Sequence, residues 1–360
     1  MGKSKKRRRL PFFSISFRLT LTVFAVALIL SYLSIFVNPQ NFSLISFFGL
    51  YYIPIALINI ALLVVAVLRR SKAGWIPLLA LLPSLFFAEF YFQFANKEII
   101  AESKEIKMLT YNVGRFQSSP ISPDQTIKSI SAFVSETSPD IITFQEFKTK
   151  DTNSLRKDFP DYPYSQKRFF HFSKGNYYVG NVILSKYPIK FQGKIPFEQT
   201  TNLATFVDIE IDNKLTRVYN LHLESNSISL TSLIKKIAGT YEEFSQEMAH
   251  VHERVKTSNS KRSDQVQSVI EHIRKCPYNS IICGDFNDTP MSYSFRELYR
   301  GRKDTFKEAG NGFAATYTTL WPFLRIDYIL TPDSYNIINH QTRRVKFSDH
   351  YPVLAKFTIQ

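Results

Sequence analysis

The chain has 360 residues, a net charge of +15 and 44% hydrophobic residues, enough for a membrane segment and one large domain of roughly 250 residues. Its two cysteines, Cys276 and Cys283, exclude a fold built on a disulfide framework. The first 107 residues hold 13 Lys and Arg against 4 Glu, so most of the excess positive charge lies there, and the remainder suits a phosphate-bearing substrate.

Three apolar stretches occupy the N-terminal part of the chain. They run from about 19 to 37, 42 to 68 and 75 to 94, and each is long enough to cross a bilayer. The first follows a basic start, but its length and the lack of a small-residue cleavage site distinguish it from a signal peptide. We therefore predict a membrane anchor over residues 1–95 with three transmembrane helices, followed by a linker over 96–106. Glu89 is expected at the interface.

The loop charges predict the orientation of this anchor. Seven Lys and Arg precede the first helix, the loop 38–41 has none, and the loop 69–72 has three. The positive-inside rule then places the N-terminus in the cytoplasm. Three crossings leave residues 107–360 outside the cytoplasm, on the periplasmic side of a bacterial inner membrane. Membrane lipid is the expected partner of the anchor, and no protein partner is predicted.

Strand and helix patterns alternate from residue 107 onward, which is typical of an α/β domain. Most of the predicted strands are short apolar runs, and the predicted helices have apolar residues at spacings of three and four. The predicted strands are 107–112, 140–146, 179–184, 204–211, 216–223, 281–285, 325–330 and 353–359, and the main predicted helices are 127–135 and 264–275.

Polar side chains recur at the ends of these strands. Asp285 and Asn287 lie two residues apart, so an extended chain would point them the same way. A carboxylate beside an amide suits a hard cation, or a water molecule that must be oriented and deprotonated. Alone, Asp-x-Asn more often marks a turn, so the whole set carries the argument. It comprises Asn112, Glu146, His222, Asp285, Asn287, Asp327, Asp349 and His350.

In this order the motifs resemble the endonuclease/exonuclease/phosphatase superfamily, and the chain also resembles bacterial members with a three-helix anchor. The resemblance covers residues 107–360 and implies a four-layer α/β sandwich with two mixed β-sheets. It also implies a metal-dependent phosphoric ester hydrolase. The matching motifs are Leu109-Thr110-Tyr111-Asn112, Gln145-Glu146, Asn220-Leu221-His222-Leu223, Gly284-Asp285-Phe286-Asn287, Arg325-Ile326-Asp327-Tyr328-Ile329 and Ser348-Asp349-His350.

The resemblance assigns catalytic roles to five of these residues. Asp285, held by Asn287, would deprotonate the attacking water. His350, oriented by Asp327, would stabilise negative charge on the phosphoryl oxygens, because a carboxylate beside an imidazole keeps it protonated. His222 would donate a hydrogen bond to a phosphate oxygen. Taken alone, a histidine between two leucines is more often part of the core.

The resemblance also implies a metal site. Glu146 would bind Mg²⁺, with Mn²⁺ as the alternative ion, helped by Asn112. Asp349 would hold a second metal or a water. A phosphodiester resists attack because of its own charge, so a metal and an imidazolium must screen it.

The segment 165–174 is predicted to contact the substrate. Lys167 and Arg168 suit phosphate, and Phe169, Phe170 and Phe172 suit either stacking on single-stranded nucleic acid or insertion into lipid. No Asp or Glu occurs between 165 and 186, whereas nuclease members often pair the equivalent of His222 with an acid there. That departure argues against activity on duplex DNA and favours phosphate contacts as the use of this segment. Nucleic acid and phospholipid headgroup both remain open as substrates.

Two other function classes remain at this point. One is a non-catalytic module that only binds phosphorylated ligands, and the other is a transport-type membrane protein that works through its helices. The segment 225–260 is also open to two interpretations, because it fits a helical insertion at the active-site rim and a helix on the outer layer equally well.

Overall fold

The computed structural model describes residues 12–94, 104–198, 200–226, 240–320 and 322–359. Most of the predicted linker 96–106 lies outside this part of the chain, as do residues 227–239 of the segment 225–260. The described N-terminal part is a helical bundle. Its elements are α1 (Phe12–Leu33), α2 (Leu44–Leu50), α3 (Tyr52–Leu68), α4 (Trp75–Leu81) and α5 (Ser84–Phe87), with 3₁₀ turns at Lys72–Gly74 and Ala88–Phe90.

Two helical stretches of this bundle, Ile15–Leu33 and Lys72–Phe90, are long and apolar enough to cross a membrane. The predicted span 42–68 is not one straight helix, because α2 and α3 meet at an angle of 69°. Pro54 explains the break: it lacks an N–H, and its ring conflicts with the carbonyl of Leu50 four residues earlier. The bundle thus has two candidate spans, and three if the bent pair counts as one.

The bundle is held together by hydrogen bonds between its helices as well as by apolar contacts. The Tyr32 hydroxyl donates to the carbonyl of Ala80 at 2.9 Å, and the Asn59 amide donates to the carbonyl of Phe24 at 2.9 Å. Such interhelical bonds suit an apolar solvent, in which an unpaired polar group is costly. The helices therefore form a packed unit.

The rest of the described chain forms an α/β domain with two six-stranded sheets. Its helices are α6 (Pro123–Thr137), α7 (Leu155–Asp158), α8 (Tyr241–Arg274), α9 (Tyr293–Tyr299) and α10 (Thr305–Ala309). Its strands, after a short β1 (Phe92–Gln93), are β2 (Glu105–Asn112), β3 (Ile141–Thr149), β4 (Tyr164–Phe172), β5 (Tyr177–Ser185), β6 (Ile189–Ile195), β7 (Leu203–Ile211), β8 (Lys214–His222), β9 (Ser280–Asp285), β10 (Arg302–Asp304), β11 (Gly312–Phe313), β12 (Asp327–Pro332), β13 (Asn336–Thr342) and β14 (Val353–Thr358).

Both sheets are mixed. The first has the order β13-β14-β2-β3-β5-β4, with β2 and β3 parallel, and the second has the order β10-β12-β9-β8-β7-β6, with β8 and β9 parallel. The other pairs in both sheets are antiparallel. The predicted two-sheet α/β fold is therefore confirmed.

The sheets pack face to face over a core of branched apolar residues. Met108 and Ile141 of the first sheet meet Val207, Ile281 and Ile329 of the second, all fully buried. A second cluster lies between the first sheet and α6, and a third between the second sheet and helices α8 and α9. This alternation of helix and sheet gives the four layers.

Helix α8 is longer than its pattern predicted. It begins at Tyr241 rather than near 264 and runs for 34 residues. Val251 and Val255 in its first half are buried. This first half contacts α2 of the bundle, where the His252 ring stacks on Phe47 at 4.9 Å between centroids and the Asn259 amide donates to Ser46 at 2.7 Å. The choice between an insertion at the rim and a helix on the outer layer stays a prediction.

Candidate functional site

The predicted polar residues meet at one edge of the sandwich. The parallel pairs β2–β3 and β8–β9 bring four strands to this edge at their carboxyl ends. Asn112, His222 and Asp285 are the last residues of β2, β8 and β9, and Glu146 lies near the end of β3. An amide hydrogen bond of 2.9 Å from Asn112 to Asp285 joins the two sheets here.

Asp285 is buried and held by three donors. It accepts hydrogen bonds from the Asn112 amide at 2.9 Å, from the Asn287 backbone N–H at 2.8 Å and from the Asn287 amide at 3.2 Å. The strand ends at Asp285, and Asn287 has a left-handed backbone with φ of 52°. The expectation of one extended chain was therefore wrong. The two side chains meet through a turn instead.

Gly284 makes this arrangement possible. Its φ is +124°, and a Cβ there would lie 2.0 Å from the carbonyl oxygen of Leu221 on the neighbouring strand. Only glycine permits so close a backbone approach at this φ. The glycine thus sets Asp285 of β9 beside the end of β8, where His222 lies.

His350 and Asp327 form a buried pair next to Asp285. The Nδ1 atom of His350 lies 2.9 Å from an Asp327 carboxylate oxygen. Burial alone would lower the pKa of His350, but the carboxylates of Asp327 and Asp285 outweigh it and raise this pKa to about 10. The imidazole is therefore protonated at neutral pH and can only donate hydrogen bonds.

The carboxylate of Asp285 lies beside this imidazolium without a direct hydrogen bond to it. The distance from His350 Nε2 to Asp285 Oδ2 is 3.8 Å, which is too long for a direct hydrogen bond. Burial raises the pKa of Asp285 to about 6, while the nearby His350 holds it down. A carboxylate with such a pKa is ionised at neutral pH and still basic enough to accept a proton.

Asp285, Asp327 and His350 lie close enough together to hold a metal ion, since their ligand atoms are within 4.8 Å of one another. The hydrogen bond between His350 and Asp327 also suits this group to acid–base work.

Glu146 stands at a bulge of β3. The register with β5 shifts between Phe144 and Phe147, and Glu146 has a φ of 52°. A bulge re-aims a side chain, and a positive φ in a non-glycine residue marks a constrained position. Its carboxylate lies 3.0 Å from Arg115 and 3.6 Å from His222, so the acid near His222 comes from β3.

The other two predicted metal ligands have different neighbours. The Asn112 side-chain oxygen accepts from the backbone N–H of Gly114 at 3.0 Å. The Ser348 hydroxyl lies 2.8 Å from the Asn112 carbonyl and 3.1 Å from an Asp349 carboxylate oxygen, and its single proton is shared between them. Carboxylate and amide oxygens are the donors that Mg²⁺ prefers, so this set fits a hard cation. The metal role of each residue stays a prediction.

The predicted substrate residues Lys167 and Arg168 point elsewhere. The Lys167 ammonium donates to the carbonyl of Thr152 at 2.6 Å, and Arg168 donates to the backbone at 3.2 Å. The small hollow beside Glu146 and His222 is lined instead by Phe170, Phe172 and Arg115. The role of Lys167 and Arg168 in binding substrate stays a prediction, and these contacts do not support it.

Several residues of the site received no role from the sequence. Gln145 and Asn220 join the sheets through a buried hydrogen bond of 2.7 Å, directly behind Glu146 and His222. Gln145 and Asn220 both belong to motifs of the family resemblance, and that membership was the sequence signal that could have identified them. Tyr317 lies edge-on to His350 at 5.2 Å between ring centroids, and its loop gave no pattern.

Comparison with known proteins agrees with this geometry. Residues 109–350 match the Endonuclease/Exonuclease/phosphatase family, and residues 14–91 match a domain family of unknown function. A search among curated proteins finds no match.

Solved structures share the fold at low sequence identity. An endonuclease/exonuclease/phosphatase from Beutenbergia cavernae has a TM-score of 0.54 at 16% identity, covering 71% of this chain and 72% of its own. One from Bacteroides vulgatus has a TM-score of 0.51 at 16% identity, covering 72% and 100%. D. rerio TDP2 complexed with single strand DNA product has a TM-score of 0.50 at 16% identity, covering 71% and 100%.

The family match covers more than half of the chain and spans the motifs that carry the site, from Leu109 to His350. The two mixed sheets and the residues at their shared edge agree with it. The chain belongs to the endonuclease/exonuclease/phosphatase family and is a phosphoric ester hydrolase.

Proposed function

We propose that the chain is a membrane-anchored, Mg²⁺-dependent hydrolase of phosphate esters that activates water for in-line attack on phosphorus. One observation carries this proposal: a buried carboxylate faces a buried imidazolium across 3.8 Å, at the edge where Asn112 and Glu146 also lie. A base and a hydrogen-bond donor held on either side of a small gap suit a reaction that takes a proton from water while charge builds on a phosphoryl oxygen.

In this mechanism Asp285 accepts a proton from the attacking water. Asn112 and Asn287 hold its carboxylate, so its orientation needs no adjustment during the reaction. His350 donates a hydrogen bond to a phosphoryl oxygen, and Asp327 keeps its ring oriented. The water oxygen forms a bond to phosphorus as the ester oxygen leaves with its electron pair.

Glu146 and Asn112 would hold Mg²⁺. The bound ion would neutralise charge on the phosphoryl oxygens. The Arg115 side chain that contacts Glu146 is 46% exposed, so it can move away at little cost and leave the carboxylate to a cation. Members of this family generally use a divalent metal, which the donor set here suits.

The catalytic domain is proposed to lie outside the cytoplasm. The Arg69 guanidinium lies 4.8 Å from the ring of Phe17, near the start of α1. Ser34 and Gly49, at the opposite end of the bundle, contact the catalytic domain. This geometry supports three antiparallel passes, with the basic loops and the catalytic domain on opposite faces.

Two substrate classes have support. The hollow beside Glu146, with Phe170, Phe172 and Arg115, suits a stacked base and a phosphate, and D. rerio TDP2 of the same fold was solved with single strand DNA product. The membrane anchor favours a phospholipid headgroup.

A transport-type role is less well supported. Glu89, the single acid in the predicted spans, pairs with Lys307 of the catalytic domain at 3.4 Å and is 57% exposed. An exposed carboxylate paired with the catalytic domain offers no ion pathway through the helices.

The test is an assay of the full chain in detergent against single-stranded DNA, RNA, sphingomyelin and an inositol phosphate. Each substrate is tested with Mg²⁺ and with EDTA. Hydrolysis of at least one ester in Mg²⁺, lost in EDTA, is expected. Failure to hydrolyse any ester with Mg²⁺ present would contradict the proposal, and the substrate that is cleaved fastest identifies the class.

A further inference from the structure

The turn that follows the catalytic strand sits on the N-terminal helices. Only Asp288 separates Asn287 from Thr289, and Met291 near the end of this turn is fully buried. The Met291 side chain packs in the core of the helical bundle, among Leu28, Tyr52 and Ala80. The catalytic carboxylate is thus six residues from a side chain held between candidate membrane helices.

The backbone of the turn is also held by the helices, as the Met291 side chain is. The buried Ser34 hydroxyl, just after α1, lies 2.6 Å from both the Met291 carbonyl and the Ser31 carbonyl of its own helix, and its single proton is shared between them. The Thr289 hydroxyl donates to the carbonyl of Gly49 at 3.5 Å. The two bonds between the turn and the helices join residues more than 200 positions apart.

Gly49 is the residue that permits this approach. A Cβ at position 49 would lie 2.3 Å from the Met291 carbonyl oxygen and 2.3 Å from the Ser34 hydroxyl. Ordinary contact begins at 3.4 Å, so any side chain here must push the turn and the helix apart by about 1 Å. A bundle that served only as a tether would not need such a fit.

A buried ion pair holds the turn from its other side. Arg262 of α8 is fully buried and lies 2.9 Å from Asp288. The same guanidinium donates to the carbonyl of Glu224, two residues after His222, at 2.8 Å. It also donates to Asn259, whose amide donates to Ser46 of α2 at 2.7 Å. One arginine thereby connects the turn, the end of the His222 strand and the bundle.

We propose that the N-terminal helical domain, residues 12–94, is a positioning element of the active site and not only an anchor. It fixes the turn 288–292 against Ser34 and Gly49, and the turn fixes Asn287 and the carboxylate of Asp285. This inference rests on the proposed role of Asp285, and it assigns a function to the segment that matches a domain family of unknown function.

The main test is Gly49→Ala in the full-length chain in detergent. A displacement of about 1 Å at a catalytic group costs on the order of 10²-fold in rate, so kcat should fall about that much, while KM changes little. Gly74→Ala is the matched control: it lies in the same bundle, and its Cβ would meet Ala66 at 3.3 Å, away from the turn. This control should keep wild-type kcat.

A double variant removes the hydrogen bonds between the turn and the helices without adding volume. Ser34→Ala with Thr289→Ala deletes both hydroxyl hydrogen bonds and should lower kcat about tenfold, because the turn then loses its polar contacts with the helices; tenfold corresponds to about 1.4 kcal/mol. It decides the question even if Gly49→Ala does not fold. If the folded double variant keeps wild-type kcat, the helical domain does not position the active site and the proposal is overturned.

Amide hydrogen exchange tests whether the helices hold the turn, independently of activity. In either variant the peptide covering 284–292 should exchange faster than in the wild type, and strands β2 and β3 should be unchanged. Unchanged exchange in 284–292 also overturns the proposal. If the wild-type chain hydrolyses no ester, the proposed function fails, and exchange still shows whether the helices hold the turn.

Discussion

Replacing Asp285 by Asn is the sharpest test of the catalytic arrangement. The change keeps the shape of the side chain and removes its charge. We expect kcat to fall by about 10²- to 10⁴-fold, the range for loss of a general base. Steady-state kinetics at saturating Mg²⁺, with the folded state checked by circular dichroism, measures the effect.

The structure also predicts a stability cost for this variant. Both carboxylate oxygens of Asp285 accept hydrogen bonds, from Asn112 on one oxygen and from the backbone of Asn287 on the other. An amide offers one acceptor and one donor, so one of these N–H groups must face another N–H. A buried unmet donor costs about 1–3 kcal/mol, which corresponds to a decrease in Tm of roughly 2–10 °C.

Asp140→Asn is the matched control. Asp140 precedes β3 at the other end of the sheet, and it accepts from the backbone N–H of Lys107 at 2.9 Å. This variant should lose some stability and keep its activity. A folded Asp285→Asn protein with kcat within about tenfold of the wild type would refute the assignment of Asp285 as the base.

The remaining predictions concern the metal, pH and topology. Glu146→Gln should raise the Mg²⁺ concentration that gives half-maximal activity, because an anionic ligand is lost, whereas Glu210→Gln, which breaks an exposed pair with Lys190, should not; full activity of the wild type in EDTA would exclude the metal role. The rate should fall as pH drops through about 6, where Asp285 gains a proton, and as pH rises through about 10, where His350 loses one. Asp327→Asn should shift the alkaline limb to lower pH, and an unchanged limb would argue against the pair. A C-terminal alkaline phosphatase fusion should be active and a fluorescent protein fusion dark, and the opposite pair of results would reverse the proposed topology.

The sequence alone determined the interior strands of the catalytic domain and the polar residues that the fold brings to one edge. The eight inner strands of the two sheets were all predicted, because strands buried between neighbours consist of apolar runs. The four strands of these two sheets that were missed, β4, β6, β10 and β13, are their four edges, and the short pair β1 and β11 was missed as well. An edge strand exposes part of its surface, so its polar and apolar residues mix and the pattern disappears. For β6 most residues are exposed or half-buried.

Only the tertiary structure decided how the site is held. Glu146 stands on a bulge, and Asn287 reaches Asp285 through a left-handed turn. Gly49 touches Met291. Each of these features depends on how the backbone packs in three dimensions. Local periodicity reports which face of an element is buried, but it does not report which element covers that face. The motifs therefore predicted which residues carry the chemistry, and the packing of the helical bundle against the turn at 288–292 emerged only from the fold.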